Sequence, residues 1–219
     1  MLLLRYLGPE ESLGELLFGL IMVLTFTLGA GIAIRAGEGA GSAQELLYAA
    51  IGCNIAWGII DAVLYIMGKV FVRSRRVRLA RAIKAAPNEV MALAAIRREM
   101  EPDLEPVTQE EDRDRLYRGV FEVVTRSQPP RTRVTRDDLM GAVTVFFLVF
   151  MTALPAAAPF LLVSDSWLAL RLSNLLLTIL LFVVGYLWAR HTIANPWFAG
   201  VGVMLLGIAL VAVAIALGG

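Results

Sequence analysis

Long runs of apolar residues alternate with short polar breaks along this chain, and one long polar stretch separates the first two runs from the last three. A bilayer hydrocarbon core of about 30 Å takes roughly 20 apolar residues in a helix. Five segments meet that length: Leu13–Ile34, Glu45–Gly68, Leu139–Val163, Trp167–Ala189 and Pro196–Leu217. They are too long and too evenly apolar for barrel strands, which alternate in and out. Backbone groups in lipid must be satisfied within the segment, so each reads as a helix. The pattern therefore predicts an all-α polytopic membrane protein with five transmembrane helices and a helical cytoplasmic insertion between spans two and three. The divisions are 1–69 for spans one and two, 70–138 for the insertion, and 139–219 for spans three to five.

The insertion has helical punctuation of its own. Val70 to Ala86 continues the second span as a basic helix, and Pro87-Asn88 ends it. Asn88 is placed to cap a helix from Glu89 to about Met100. Pro102 and Pro106 mark a bend. Thr108-Gln109-Glu110-Glu111 has the form of a capping box opening a third helix to about Arg126, with Leu116, Val120, Val123 and Val124 as its apolar stripe. Pro129-Pro130 resets the chain before the third span.

Charge supplies the orientation. Sixteen of the twenty Lys and Arg residues lie between Lys69 and Asp138. Basic residues beside membrane spans stay on the cytoplasmic side, so the N-terminus and residues 70–138 are expected inside and the C-terminus outside, in an inner or plasma membrane. Arg5 and Arg190 agree with this; Arg35, beside Glu38 in the glycine-rich outer loop Ala36–Ser42, does not. Met1-Leu2-Leu3-Leu4-Arg5 lacks the basic start and small-residue cleavage site of a removable signal, so the first span is expected to insert as its own uncleaved signal. The composition, 58% hydrophobic, rules out an ordinary soluble domain. One cysteine, Cys53, and one histidine, His191, exclude an internal disulfide framework and a structural zinc site. No nucleophile–base pair or catalytic motif points to an enzyme, and no nucleic-acid partner is indicated.

Asp61 is the residue that most calls for a function, because a carboxylate inside a span is expensive. Asn54, Gly58, Asp61 and Tyr65 share one helical stripe. Two readings of Asp61 stand open: a cation or proton site, and a hydrogen bond to Asn, Ser or Trp on a neighbouring helix. Glu15 begins the first span, within roughly 10 Å of Asp61 in depth. If those two helices are neighbours they can share a site. Met22, on the Glu15 face, offers a thioether or plain packing. In the insertion, Glu110 and Asp114 lie one turn apart and can present two carboxylates to a hard cation. The competing reading is a solvated, salt-bridged helix with Glu111–Arg115 and Asp114–Arg118 pairs. Arg171 is expected to snorkel to the outer interface, and Pro155 and Pro159 to kink or end the third span.

Several stretches resemble the vacuolar iron transporter family. Glu15-Leu16-Leu17-Phe18-Gly19 is similar to that family's first-span entry. Gly141-Ala142 through Ala153-Leu154-Pro155-Ala156-Ala157-Ala158-Pro159-Phe160 is similar to its third span, and Asn195-Pro196-Trp197-Phe198-Ala199-Gly200 through Gly207 and Gly218 to its last. The resemblance implies a transporter of a divalent cation such as Fe2+ or Mn2+, exchanged for protons. It implies a homodimer in the lipid bilayer, with the metal ion as cargo and no permanently bound cofactor. On that footing Asp61 is the central carboxylate, Asn54 and Met22 are auxiliary ligands, and Glu15 stands at the cytoplasmic mouth. The sequence also departs from the family. Met22-Val23 stands where an Asp-Gly pair is usual, Asn54 stands near a usual Glu, and Asp61-Ala62 near a usual Ser-Met pair. A non-transporting scaffold or regulatory subunit, using its basic Val70–Lys84 helix on anionic lipid or a partner, is the alternative.

Overall fold

A computed structural model describes residues 6–36, 43–128 and 132–217. The first five residues, the glycine-rich loop from 37 to 42, Pro129-Pro130 and Gly218 lie outside the described residues. The described chain forms eight helices: α1 (Pro9–Ala36), α2 (Ala43–Ala85), α3 (Glu89–Leu104), α4 (Glu110–Arg126), α5 (Arg136–Met151), α6 (Ala153–Leu162), α7 (Ser166–Ala189) and α8 (Pro196–Ala216). Five stretches are long and apolar enough to cross a membrane: Pro9–Gly29, Tyr48–Ala85, Arg136–Leu162, Ser166–Ala189 and Pro196–Ala216. The 38 residues of the second stretch reach far beyond a bilayer core of about 30 Å. Apolarity therefore ends near Gly68 while the helix itself runs on to Ala85.

Internal contacts divide the chain into two units, Met1–Ile66 with Arg136–Gly219, and Met67–Thr135. In the membrane unit the core is built from Leu13, Leu20, Val23 and Leu24 of α1, Ala153 and Ala156 of α6, Leu177, Leu181 and Val184 of α7, and Val211 of α8. Lipid offers no hydrophobic drive between helices, so close backbone approach takes its place. A Cβ on Gly185 would stand 2.9 Å from the Ala199 carbonyl, and one on Gly200 3.0 Å from that of Phe182, so α7 and α8 can meet only through glycine. Polar side chains close the helix starts: Asp165 accepts from the Leu168 backbone N–H at 2.8 Å and Asn195 from that of Trp197 at 3.0 Å.

The third span is interrupted at Thr152, three residues before Pro155. Proline has no N–H for the carbonyl four residues back, and its ring crowds that turn, so the break falls upstream of the proline itself. Locally the Thr152 N–H tightens onto Val149 O at 3.2 Å. Pro159 stays inside α6, and the cap N–H of Val163 reaches its carbonyl. At the other predicted interface position, the Arg171 guanidinium lies 5.0 Å from the centroid of the Trp167 ring.

In the second unit, Ile83, Ala92, Ile96 and Tyr117 form the core, with Leu79, Leu93, Val120, Phe121 and Val124 against them. Asn88 caps α3 as its sequence suggests, accepting from the Met91 N–H at 2.9 Å. α3 runs a turn past Met100 to Leu104, with Pro102 in its last turn where the lost bond costs least, and the turn follows at 105–107. Two local expectations are corrected. The capping box is not formed: Thr108 turns its hydroxyl back onto Leu104 O at 2.6 Å, and the cap position is Gln109, without a side-chain bond. The buried face of α4 centres on Tyr117, while Leu116 and Val123 are exposed.

Candidate functional site

A cavity of about 460 Å³ opens in the membrane unit, between the start of α1 and the second half of the α2 span. Its wall carries Glu10, Glu11 and Glu15 from α1 and Asp61, Leu64 and Tyr65 from α2. The helical repeat explains the gathering. Glu11 and Glu15 are one turn apart on one face of α1, as Asp61 and Tyr65 are on α2. The two helices meet where Phe18 and Trp57 pack edge to face, with centroids 5.6 Å apart. Tyr65 reaches across to donate to Tyr6 O at 3.1 Å. Among the described residues no Lys or Arg lines the cavity, and its charged side chains are all carboxylates, the oxygen chemistry hard divalent cations favour.

Glu15 and Asp61 are thus brought to one cavity. Oδ2 of Asp61 is buried and has no hydrogen-bond partner among the described residues. Glu10 and Glu11 are the residues that sequence reading missed. The signal was available, in the one-turn spacing from Glu11 to Glu15, but first-turn acids also suit a helix N-terminus, and Glu11 does accept from the Gly8 N–H at 3.2 Å.

The other candidates lie elsewhere. Met22 is half-buried on α1 and is not part of the cavity wall, and its neighbour Val23 is fully buried in the core. Asn54 is fully buried and donates through Nδ2 to Val149 O at 3.1 Å and Thr152 Oγ1 at 2.9 Å. Asn54 thus makes an interhelical hydrogen bond instead of lining the cavity.

Glu110 and Asp114 belong to the second unit, on α4. Glu110 is exposed, and Asp114 is taken by Arg97 of α3 in a charged hydrogen bond. Arg97 also lies 3.3 Å from Glu101, and Arg113 the same distance from the other Glu101 oxygen. The Asp114 hydrogen bond, and then its charge, hold the Arg97 guanidinium above its ordinary pKa range. Arg115 pairs with Asp112 at 3.7 Å, so the solvated pairs take a different register from the expected Glu111–Arg115 and Asp114–Arg118. Among the described residues no three His, Cys, Asp or Glu side chains are grouped to hold an ion by themselves.

A search among curated proteins finds no match. The family model described as the VIT family matches residues 70–219, so Glu15, Met22, Asn54 and Asp61 all precede the matched part. That match spans more than half of the chain, and with five membrane-crossing helices beside it, the protein belongs to the VIT family of membrane metal-ion transport proteins.

Proposed function

We propose that the protein carries a divalent cation, Fe2+ or Mn2+, through the cavity between α1 and α2 in exchange for protons. The observation that carries this reading is Asp61: an intramembrane carboxylate that shares a cavity with Glu15 and has one buried oxygen without a partner among the described residues. Such a carboxylate can hold a cation or a proton by turns, which is what exchange requires. Glu10 and Glu11 would attract the cation to the mouth, Glu15 would pass it inward, and Asp61 would be the central ligand.

The proposed orientation keeps the N-terminus and residues 70–138 in the cytoplasm and the C-terminus outside, supported by the concentration of basic residues between Lys69 and Asp138. A homodimer is proposed as the working assembly; the outward Ile59, Val63 and Met67 of α2, each more than half exposed, support an apolar partner surface on that helix.

The test is uptake of Fe2+ and Mn2+ into proteoliposomes under a pH gradient, with wild type compared against Asp61→Asn. Uptake by wild type that the substitution abolishes supports the reading. No uptake by wild type, under conditions in which another family member works, ends it. A non-transporting scaffold is then the reading left. The arginine pairing of Glu101 and Asp114 favours it, since acids so occupied are poor cation collectors.

A further inference from the structure

Asn54 and Thr152 play no part in the cavity, yet they form a buried polar contact that joins two helices distant in sequence. Asn54 is 0% exposed and Thr152 3%. The Thr152 hydroxyl accepts from Asn54 Nδ2 at 2.9 Å and donates to Val149 O at 2.6 Å. Val149 O also receives the second Asn54 N–H at 3.1 Å and the Thr152 N–H at 3.2 Å. This is the break between α5 and α6. Side chains of neighbouring helices are among the groups that support a broken span in lipid. Here Asn54 of α2 adds its donors at the last turn of α5 and at the Thr152 hydroxyl.

The contact bears on the cavity through helical geometry. Asp61 lies two turns along from Asn54 on the same face of α2. Glu15 lies one turn before Gly19 on α1, and a Cβ on Gly19 would come within 3.1 Å of the Thr152 methyl. Thr152 therefore touches both helices that supply the carboxylates. Elsewhere α2 meets the unit at Trp57 against Phe18, at Gly58 against Phe146, and at Tyr65 against Tyr6 and Gly141.

We propose that the Asn54–Thr152 hydrogen bond is a latch that couples the α5–α6 break to the placement of α2, making Asn54 and Thr152 positioning residues for Asp61. The proposal rests on the cavity reading above. With the latch closed, the acid-bearing face of α2 is held against α1. With it open, α2 is free to part from the third span at the break, the kind of two-position element that access from alternate sides demands.

The test uses the full chain in lipid nanodiscs with Cys53→Ala, spin-labelled at Tyr48→Cys on α2 and Leu161→Cys on α6, both exposed and outside the cavity. Pulsed dipolar spectroscopy should give one distance population in this parent and in Thr152→Ser, which keeps the hydroxyl. Thr152→Val and Asn54→Leu should each add a longer population, and the two together no more than either alone. In proteoliposomes the same two variants should lower maximal cation uptake by about fivefold with KM unchanged, and Thr152→Ser should restore it. Unchanged distances in Thr152→Val and Asn54→Leu, or effects of the two that simply add, overturn the latch. If the parent moves no cation but the distances still shift together, the latch stands and the transport reading falls. If the parent transports and the distances do not move, only the latch falls.

Discussion

The membrane unit and the insertion both carry clustered acids, and they treat them in opposite ways. In the insertion, Asp114 and Glu101 are matched by Arg97 and Arg113 across α3 and α4. In the membrane unit, Glu10, Glu11, Glu15 and Asp61 share a cavity wall with no Lys or Arg on it among the described residues. The same residue type is structural glue in one place, while in the other Asp61 keeps a buried oxygen without a partner among the described residues. In the insertion the match is made by arginines one helix turn away or across a short helix hairpin. Count of acids alone would have favoured the insertion.

The comparison can be broken or sharpened by substitution. The largest stability effect is expected in the insertion core. Ile96→Ala, at a fully buried position, should cost about 3 kcal/mol and speed hydrogen exchange across α3 and α4 while α7 and α8 stay protected. Equal loss of protection in both units would show that they do not behave as separate units. The largest functional effect is expected at Asp61, where Asn should lower Mn2+ or Fe2+ uptake by about tenfold or more and Glu should retain part of it. Asp114→Asn should cost only about 0.5 kcal/mol in thermal unfolding of the insertion, because both partners of that ion pair are about half exposed to solvent. A cost several times larger would mean the arginine network organises the insertion. The smallest effect is expected at Glu110, where Gln should leave uptake within about twofold. A collapse of uptake there would move the cation site into the insertion and reverse the comparison.

Much of the architecture was legible in the order of residues. The five spans, the Asn88 cap and the pairing of Glu15 with Asp61 in depth follow from hydropathy and the helical repeat. The third-span kink was visible in Pro155, although its position at Thr152 depends on how proline acts on the preceding turn. Other features were not legible. Thr108 could serve as a cap or bond back to Leu104, and the sequence is the same in both cases. Asn54 offered no sign that it would face Val149 and Thr152, which lie 95 and 98 residues away. Glu10 and Glu11 stand in the first turn of α1, and only the position of α2 made them part of a cavity wall.

By itself the sequence determined that five helices cross a membrane, because lipid leaves the backbone no other partner and apolar length is a local property. It also determined that α2 continues as a basic helix, since no residue before Pro87 interrupts it. Tertiary structure alone decided which polar groups meet. A buried carboxylate or amide must find its partner on another helix, and the choice depends on the rotation and spacing of helices that the chain brings together from far apart. That choice sent Asn54 to the broken third span, gave Asp114 to Arg97, and left Asp61 facing a cavity.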